Sequence, residues 1–165
     1  MLDGRSCQDK KTIGVLPQSC MLSFSVIFGE AAGEAALVLP GNGSLPEGYH
    51  LMFLPGEGKI AVRAGSSTYP DPDFCGIERS VELRPGWAHQ VELLLEHDCM
   101  VMYVDRVCAM SARLYRRGPG TMCFQCYGMQ AELSGLRIMD KKPPKAEDGR
   151  KGADDEGDLK GGYSI

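Results

Sequence analysis

The sequence has few aromatic residues, no long apolar run and no excess of basic charge. Its apolar stretches are only a few residues long, far short of the roughly 20 needed to span a bilayer as a helix. The first fifteen residues also lack the apolar core of a signal peptide. The net charge is -4, with 18 Lys and Arg against 22 Asp and Glu, and both signs are interspersed. These features disfavour a membrane or nucleic-acid partner and predict a cytoplasmic protein.

No segment shows the apolar periodicity of a long helix. Instead, apolar and polar residues alternate in ten short segments, with a turn signal every 8 to 12 residues. In "CMLSFSVIF", for example, Leu22 and Phe24 share one face and Ser23 and Ser25 the other. Ten strands cannot bury one face in a single flat sheet. The pattern therefore predicts an all-β fold of two antiparallel sheets, a sandwich of the jelly-roll or concanavalin type.

The composition changes near the C-terminus. Residues 140–165 contain 13 charged residues, five glycines and two prolines in 26 positions. A segment with so little to bury cannot offset the entropy of ordering, so we predict a disordered charged tail. Residues 1–139 are then predicted to form a single β-sandwich domain, a size that can bury a proper core.

Seven cysteines are an odd number and do not suggest a disulfide framework. Several stand where a strand needs a small apolar residue, so we predict buried, reduced thiols. The pair in "CFQC", Cys123 and Cys126, has no second ligand pair at zinc-finger spacing. Residues three apart in a strand also point to opposite faces. We therefore predict no metal and no cofactor.

Motifs that would make the chain an enzyme are missing. There is no G-x-S-x-G elbow and no glycine-rich phosphate loop. A sugar hydrolase needs two carboxylates about 5 to 9.5 Å apart. The pairs Glu78/Glu82 and Glu92/Glu96 fall on the solvent side of their strands, where they serve solubility. Catalysis by this chain alone is not supported by any motif.

Exposed aromatic residues are the remaining lead, because sugar-binding sandwiches often stack sugar rings on them. Trp87 follows "RPG" just before a strand, and Tyr49 and Tyr69 stand near turns. These three are the candidate sugar-binding residues, for an oligo- or polysaccharide. The alternative for Trp87 is a residue that caps the core. The H-x-N-P-R strand and W-G-x-E element of galectin-type sites are not found.

From Trp87 to Met139 the strand order and several short motifs resemble a known family. The segment "YVD" at Tyr103–Asp105 leads into a hairpin, "AMSARLY" returns at Ala109–Tyr115, and "LSGLRIM" closes the domain at Leu133–Met139. This order is similar to the C-terminal β-sandwich of family 32 glycoside hydrolases, such as invertases and levanases. The family's "VDxSxxExF" element is not present, because the hairpin is shortened to Asp105-Arg106.

The resemblance implies a sandwich without its catalytic domain. In the family, catalysis belongs to a five-bladed propeller with W-M-N-D-P-N, R-D-P and E-C motifs, and none of these strings occurs here. The chain would then stabilise or dock a propeller that acts on β-fructosides. Asp105 and Arg106 are predicted to form a two-residue hairpin tip, with Asp105 bonding local backbone. Arg113 is predicted to pair with a carboxylate.

Overall fold

The computed structural model describes residues 2–3, 9–30, 32–65 and 74–140, and these form two antiparallel sheets packed face to face. The predicted β-sandwich is confirmed. Sheet A has the strand order β1-β12-β3-β8-β9-β10, and sheet B has the order β2-β11-β4-β5-β6-β7. The strands are β1 (Leu2–Asp3), β2 (Asp9–Leu16), β3 (Ser19–Phe28), β4 (Glu34–Leu39), β5 (Tyr49–Leu54), β6 (Lys59–Ala64), β7 (Ile77–Ser80), β8 (Ala88–Glu96), β9 (Cys99–Val104), β10 (Cys108–Arg113), β11 (Gly120–Tyr127) and β12 (Gln130–Asp140), with a short 3-10 helix at Pro55–Glu57 between β5 and β6.

The core lies between the two sheets and is built from alternate residues of their strands. In β3 every second residue is buried, so that Leu22 and Phe24 face inward and the intervening serines lie on the outer face. Phe28 of sheet A contacts Phe53 of sheet B with a ring separation of 5.6 Å, which joins the two layers at one end. Burial of this apolar surface provides the main driving force for packing the sheets.

All ten predicted strands are present, but β1 and β2 were not predicted. Strand β2 pairs with β11. Met122 of β11 pairs with Gly14, but the next residue, Cys123, pairs with Thr12, so the register skips Ile13. The bulge at Ile13 breaks the period of two, so the strand cannot be recognised from alternation. At the other end of the domain, β12 continues to Asp140, which pairs with Cys20. Asp140, the first residue of the segment assigned to the tail, is therefore part of strand β12.

The hairpin between β9 and β10 differs in detail from the predicted one. Asp105 and Arg106 both have positive φ, of 52° and 57°, as in a type I′ turn. Three residues separate the paired ends, because Val104 pairs with Cys108. The Asp105 carboxylate bonds the neighbouring strand β8 and not its own turn: Oδ1 accepts from the Gln90 amide at 2.7 Å. Its Oδ2 lies 2.6 Å from Nδ1 of His89.

Two further predictions concern Arg113 and the "CFQC" segment. Arg113 pairs with a carboxylate as expected, with its Nη1 at 3.0 and 3.2 Å from the two oxygens of Asp98. Cys126 is part of the main core, whereas Cys123 belongs to a separate cluster on the other side of sheet B. Among the described residues, no group of three or more His, Cys, Asp or Glu is placed to hold a metal ion. The same residues contain no helix long and apolar enough to cross a membrane.

Candidate functional site

The outer face of sheet B carries apolar residues that point away from the core. The strand register places Gln125, Ala36, Met52, Ala61 and Glu78 side by side across five strands. Their neighbours within each strand face inward, so this row lies on the outside. Ala36, Met52 and Ala61 are nevertheless at most 3% exposed, so neighbouring groups cover the centre of this face. Together with Val38, Leu54 and Cys123 they form a second apolar cluster, here called the floor.

His50 lies beside the floor and is held in one orientation by two hydrogen bonds. It is 6% exposed, and its register partners are Val38 and Arg63. The Gln125 amide donates to Nδ1 at 3.1 Å, and Nε2 donates to the Glu47 carbonyl at 3.2 Å. A carbonyl can only accept, so the proton is on Nε2 and the ring is neutral. Burial lowers the pKa of His50, which supports the same neutral form.

Charged side chains of alternating sign border the floor on the β6–β7 side. Nζ of Lys59 lies 2.7 Å from Glu57 and 2.9 Å from Glu78. Arg63 reaches the other oxygen of Glu78 at 3.8 Å and is 40% exposed. A hydrogen bond from Lys59 lowers the pKa of Glu78, so this carboxylate is ionised at neutral pH. The rim therefore presents both cationic donors and an anionic acceptor.

A small depression beside the floor is lined by Glu34, His50, Met52, Arg63, Gly65 and Tyr127. Tyr127 pairs with Glu34 across strands β11 and β4. Burial and the adjacent Glu34 carboxylate raise the pKa of Tyr127, so the phenol keeps its proton. The arrangement combines a shallow apolar surface with phenol, guanidinium and carboxylate groups at its edge. Surfaces of this kind suit ligands that have apolar faces and polar edges.

Trp87 lies elsewhere, on the connection that leads from β7 to β8. Its indole is 61% exposed, as the sugar-stacking hypothesis requires. The guanidinium of Arg84 lies 5.0 Å from the ring centroid and occupies one face of the ring. Gly86, with φ of 76°, fixes this turn by donating its N–H to Phe28 at 2.8 Å. Trp87 therefore offers one open ring face at the end of the sandwich.

The other two candidate aromatics are placed differently. Tyr49 is 2% exposed and packs inside the sandwich, with its ring 5.5 Å from Phe74. Its hydroxyl accepts the backbone N–H of Arg116 at 2.9 Å. Tyr69 lies in the segment 66–73, outside the described residues. That segment follows Gly65, which lines the depression beside the floor.

Sequence reasoning missed the outer face of sheet B. Strand β5, "YHLMFL", is buried at every position, so it shows no alternation that would separate an inner from an outer face. Of the H-x-N-P-R pattern only the first residue is matched, by His50, with Met52 and Leu54 in place of the polar residues. The available signal was a single histidine in an otherwise apolar strand, followed by the cation-rich strand "KIAVRA".

Comparison with known structures shows that the fold is shared with other two-sheet β-sandwiches. The structure is similar to the carbohydrate binding module CBM66 from Bacillus subtilis, with a TM-score of 0.64 at 9% identity over 82% of this chain and 83% of that one. It is also similar to galectin LEC-6 from Caenorhabditis elegans, with a TM-score of 0.60 at 8% identity over 85% of this chain and 95% of the galectin.

A third similar structure is the toad ovary galectin solved with thio-digalactose. Its TM-score is 0.56 at 13% identity, over 81% of this chain and 98% of that one. No protein-family model and no curated protein sequence matches the chain. At these identities the likeness shows a shared fold alone.

Proposed function

We propose that this protein is a non-catalytic carbohydrate-binding module that binds its ligand on the outer face of sheet B. The observation that carries the proposal is the shallow depression beside the floor, lined by His50, Tyr127 and Arg63, with the exposed Glu78 next to Arg63. A sugar ring has apolar C–H faces and hydroxyl edges, so it can lie over such a depression while its hydroxyls bond the charged rim. The similarity of the fold to CBM66 and galectins supports the proposal.

Arg63 provides the sharpest test of the binding face. Its side chain is 40% exposed, and among the described residues its guanidinium has one long contact, with Glu78, so Arg63→Ala removes a donor with little effect on folding. We expect affinity for a bound oligosaccharide, measured by calorimetry, to fall about tenfold, the effect of losing one charge-assisted hydrogen bond. The matched control is Arg106→Ala, whose 83% exposed side chain pairs with Glu92 on sheet A. An equal loss of affinity in both variants would contradict binding on the outer face of sheet B.

Trp87 provides a second candidate site for the same function, because its indole is exposed and fixed on a rigid turn. In that case Trp87→Ala abolishes retention on a polysaccharide without lowering the melting temperature, and Arg63→Ala has no effect. If instead Arg63→Ala weakens binding and Trp87→Ala has no effect, the ligand binds on the outer face of sheet B. The two variants measured side by side therefore assign the site.

The resemblance to family 32 hydrolases suggests a different role, docking to a catalytic propeller. An apolar band on the outer face of sheet A supports it: Met139, Met21, Leu94 and Val101 lie side by side across four strands. Met139 is 51% exposed, and Tyr103, two residues from Val101 on the same face of β9, is also exposed. Mixing the chain with an isolated propeller of such an enzyme should give a complex by size-exclusion chromatography, which Leu94→Asp disrupts. If the chain elutes at the same volume with and without such propellers, the docking role is contradicted.

A further inference from the structure

A cleft of about 340 Å³ lies at the end of the sandwich opposite Trp87. At that end Ser19 pairs with Glu96, whereas Ala88, next to Trp87, pairs with Ile27 at the other. The connections β2–β3, β8–β9 and β10–β11 meet around the cleft. Its lining includes Leu16 and Leu114, which are buried, and Tyr115, which is 74% exposed. The cleft thus has an apolar base and one open aromatic side chain.

Arg117 gives this cleft a fixed cation. Its Nε and Nη2 donate to the His97 carbonyl at 3.0 and 2.7 Å, and Nη1 donates to the Pro17 carbonyl at 3.4 Å. Nη2 also donates to the carbonyl of Gln18. Four of the five guanidinium N–H groups are thereby used, and the whole group is held between two turns. One N–H on Nη1 has no acceptor among the described residues.

No carboxylate in the described part of the chain pairs with Arg117. All the acceptors that the described residues provide are neutral carbonyls, and Asp98, which also lines the cleft, is engaged by Arg113. Burial lowers the pKa of Arg117, as expected for a cation removed from water without a counter-ion. A partly desolvated cation of this kind attracts an anion more strongly than an exposed one does. An anionic ligand would supply the missing charge.

We propose that this cleft binds a carboxylate-bearing sugar, a uronic acid, with its carboxylate beside Arg117 and its ring against Tyr115. The inference rests on the proposed function in one respect, that the ligand is a saccharide. It concerns a second site, at the end of the sandwich, and its charge preference comes from Arg117 alone. Tyr115 supplies the apolar face for the ring, and the turns fixed by Arg117 keep the cleft preorganised.

The experiment is a titration of the ¹⁵N-labelled full chain with D-glucuronate, D-glucose and acetate at equal ionic strength. We expect glucuronate to shift the amides of Gln18, His97 and Arg117, with a Kd about tenfold below that of glucose. Its affinity should fall as salt is added. Equal affinity for glucose and glucuronate overturns the charge preference. Equal affinity for acetate and glucuronate contradicts recognition of the sugar ring. Absence of shifts at these amides contradicts binding in the cleft.

Variants separate this cleft from the outer face of sheet B. Tyr115→Ala removes an exposed ring without opening the core, and we expect glucuronate binding to weaken about tenfold at an unchanged melting temperature. The matched control is Tyr103→Ala, on the outer face of sheet A, which should bind glucuronate like the wild type. Arg63→Ala should leave these shifts unchanged, so failure of the sheet B site and failure of the cleft are distinguishable. Identical behaviour of the two tyrosine variants contradicts the proposal.

Discussion

At the residue scale, Asp105 shows how one side chain can serve a turn and a buried contact at once. Its positive φ belongs to the turn, and Asp tolerates this conformation better than most residues. Its carboxylate accepts from the Gln90 amide and bonds His89, which is 5% exposed. The second ring nitrogen of His89 lies 3.1 Å from the Arg84 carbonyl. The hairpin tip is thereby tied to the turn that carries Trp87.

Replacing Asp105 by Gly isolates the carboxylate, because Gly also accepts positive φ. The change leaves the buried Nδ1 of His89 and the Gln90 amide without their partner. We expect the free energy of unfolding to fall by about 2 kcal/mol, the typical cost of an unsatisfied buried group. Arg106→Gly in the same turn should change it by less than about 0.5 kcal/mol. Urea denaturation measures both, and equal losses would show that only the turn matters.

His50 predicts a pH dependence of stability. Its pKa in the folded protein lies below the ordinary value of 6.5 because of burial, so the unfolded chain binds the proton more readily. The stability that neutral His50 contributes is therefore fully present above about pH 6.5, and it decreases as the pH falls toward the pKa of His50 in the folded protein. His50→Gln should flatten this part of the curve, measured as melting temperature between pH 7.5 and 5. A variant with the same slope as the wild type contradicts this assignment.

At the element scale, the strands with regular alternation are those that the sequence predicts correctly. Strand β3 is the clearest case, because every second residue is buried. Prediction fails where a bulge interrupts the period, as at Ile13 in β2. Strand β5 was predicted, but both of its faces are buried, so the sequence does not distinguish its inner face from its outer face. Turn chemistry predicted the position of the Asp105 hairpin and a bond from its side chain, but not the partners, which are Gln90 and His89 of the neighbouring strand.

Strand β12 contains a bulge that depends on glycine. Its register with β3 shifts between Ser134 and Arg137, and Gly135 has φ of 64° with open space around its α-carbon. The only obstacle to a side chain is therefore backbone conformation. We expect Gly135→Ala to lower the free energy of unfolding by about 1 kcal/mol. Gly56→Ala, also in open space but without a positive φ, should leave it nearly unchanged in the same thermal unfolding measurement.

At the scale of the whole molecule, the candidate face is assembled from distant parts of the chain. Ala36, Met52, Ala61, Glu78 and Gln125 become neighbours only when five strands pair. Single-strand patterns contain no information about this row, so the sandwich could be predicted from the sequence but the face could not. The sequence left open whether Trp87 is exposed or caps the core, and the burial of Tyr49 depends on contacts with Phe74 and Arg116.

The composition of residues 141–165, rich in charge and glycine, predicts that this segment contributes little to stability. A chain truncated after Asp140 is expected to melt within about 2 °C of the full chain, because the loss is below about 0.5 kcal/mol. A truncation after Leu136 removes the end of β12, including Arg137, Ile138 and Met139, which pair with β3. It should melt clearly lower. Calorimetry compares them, and a large loss on the first truncation contradicts the domain boundary.

The most direct test of the central claim is affinity electrophoresis of the full chain through gels containing levan, inulin, starch or xylan. A carbohydrate-binding module is retarded by at least one polymer, and the retardation should shrink when Arg63 is replaced by Ala. A chain that migrates through all four gels as it does through a gel without polysaccharide, under conditions where a known carbohydrate-binding module is retarded, would contradict the account.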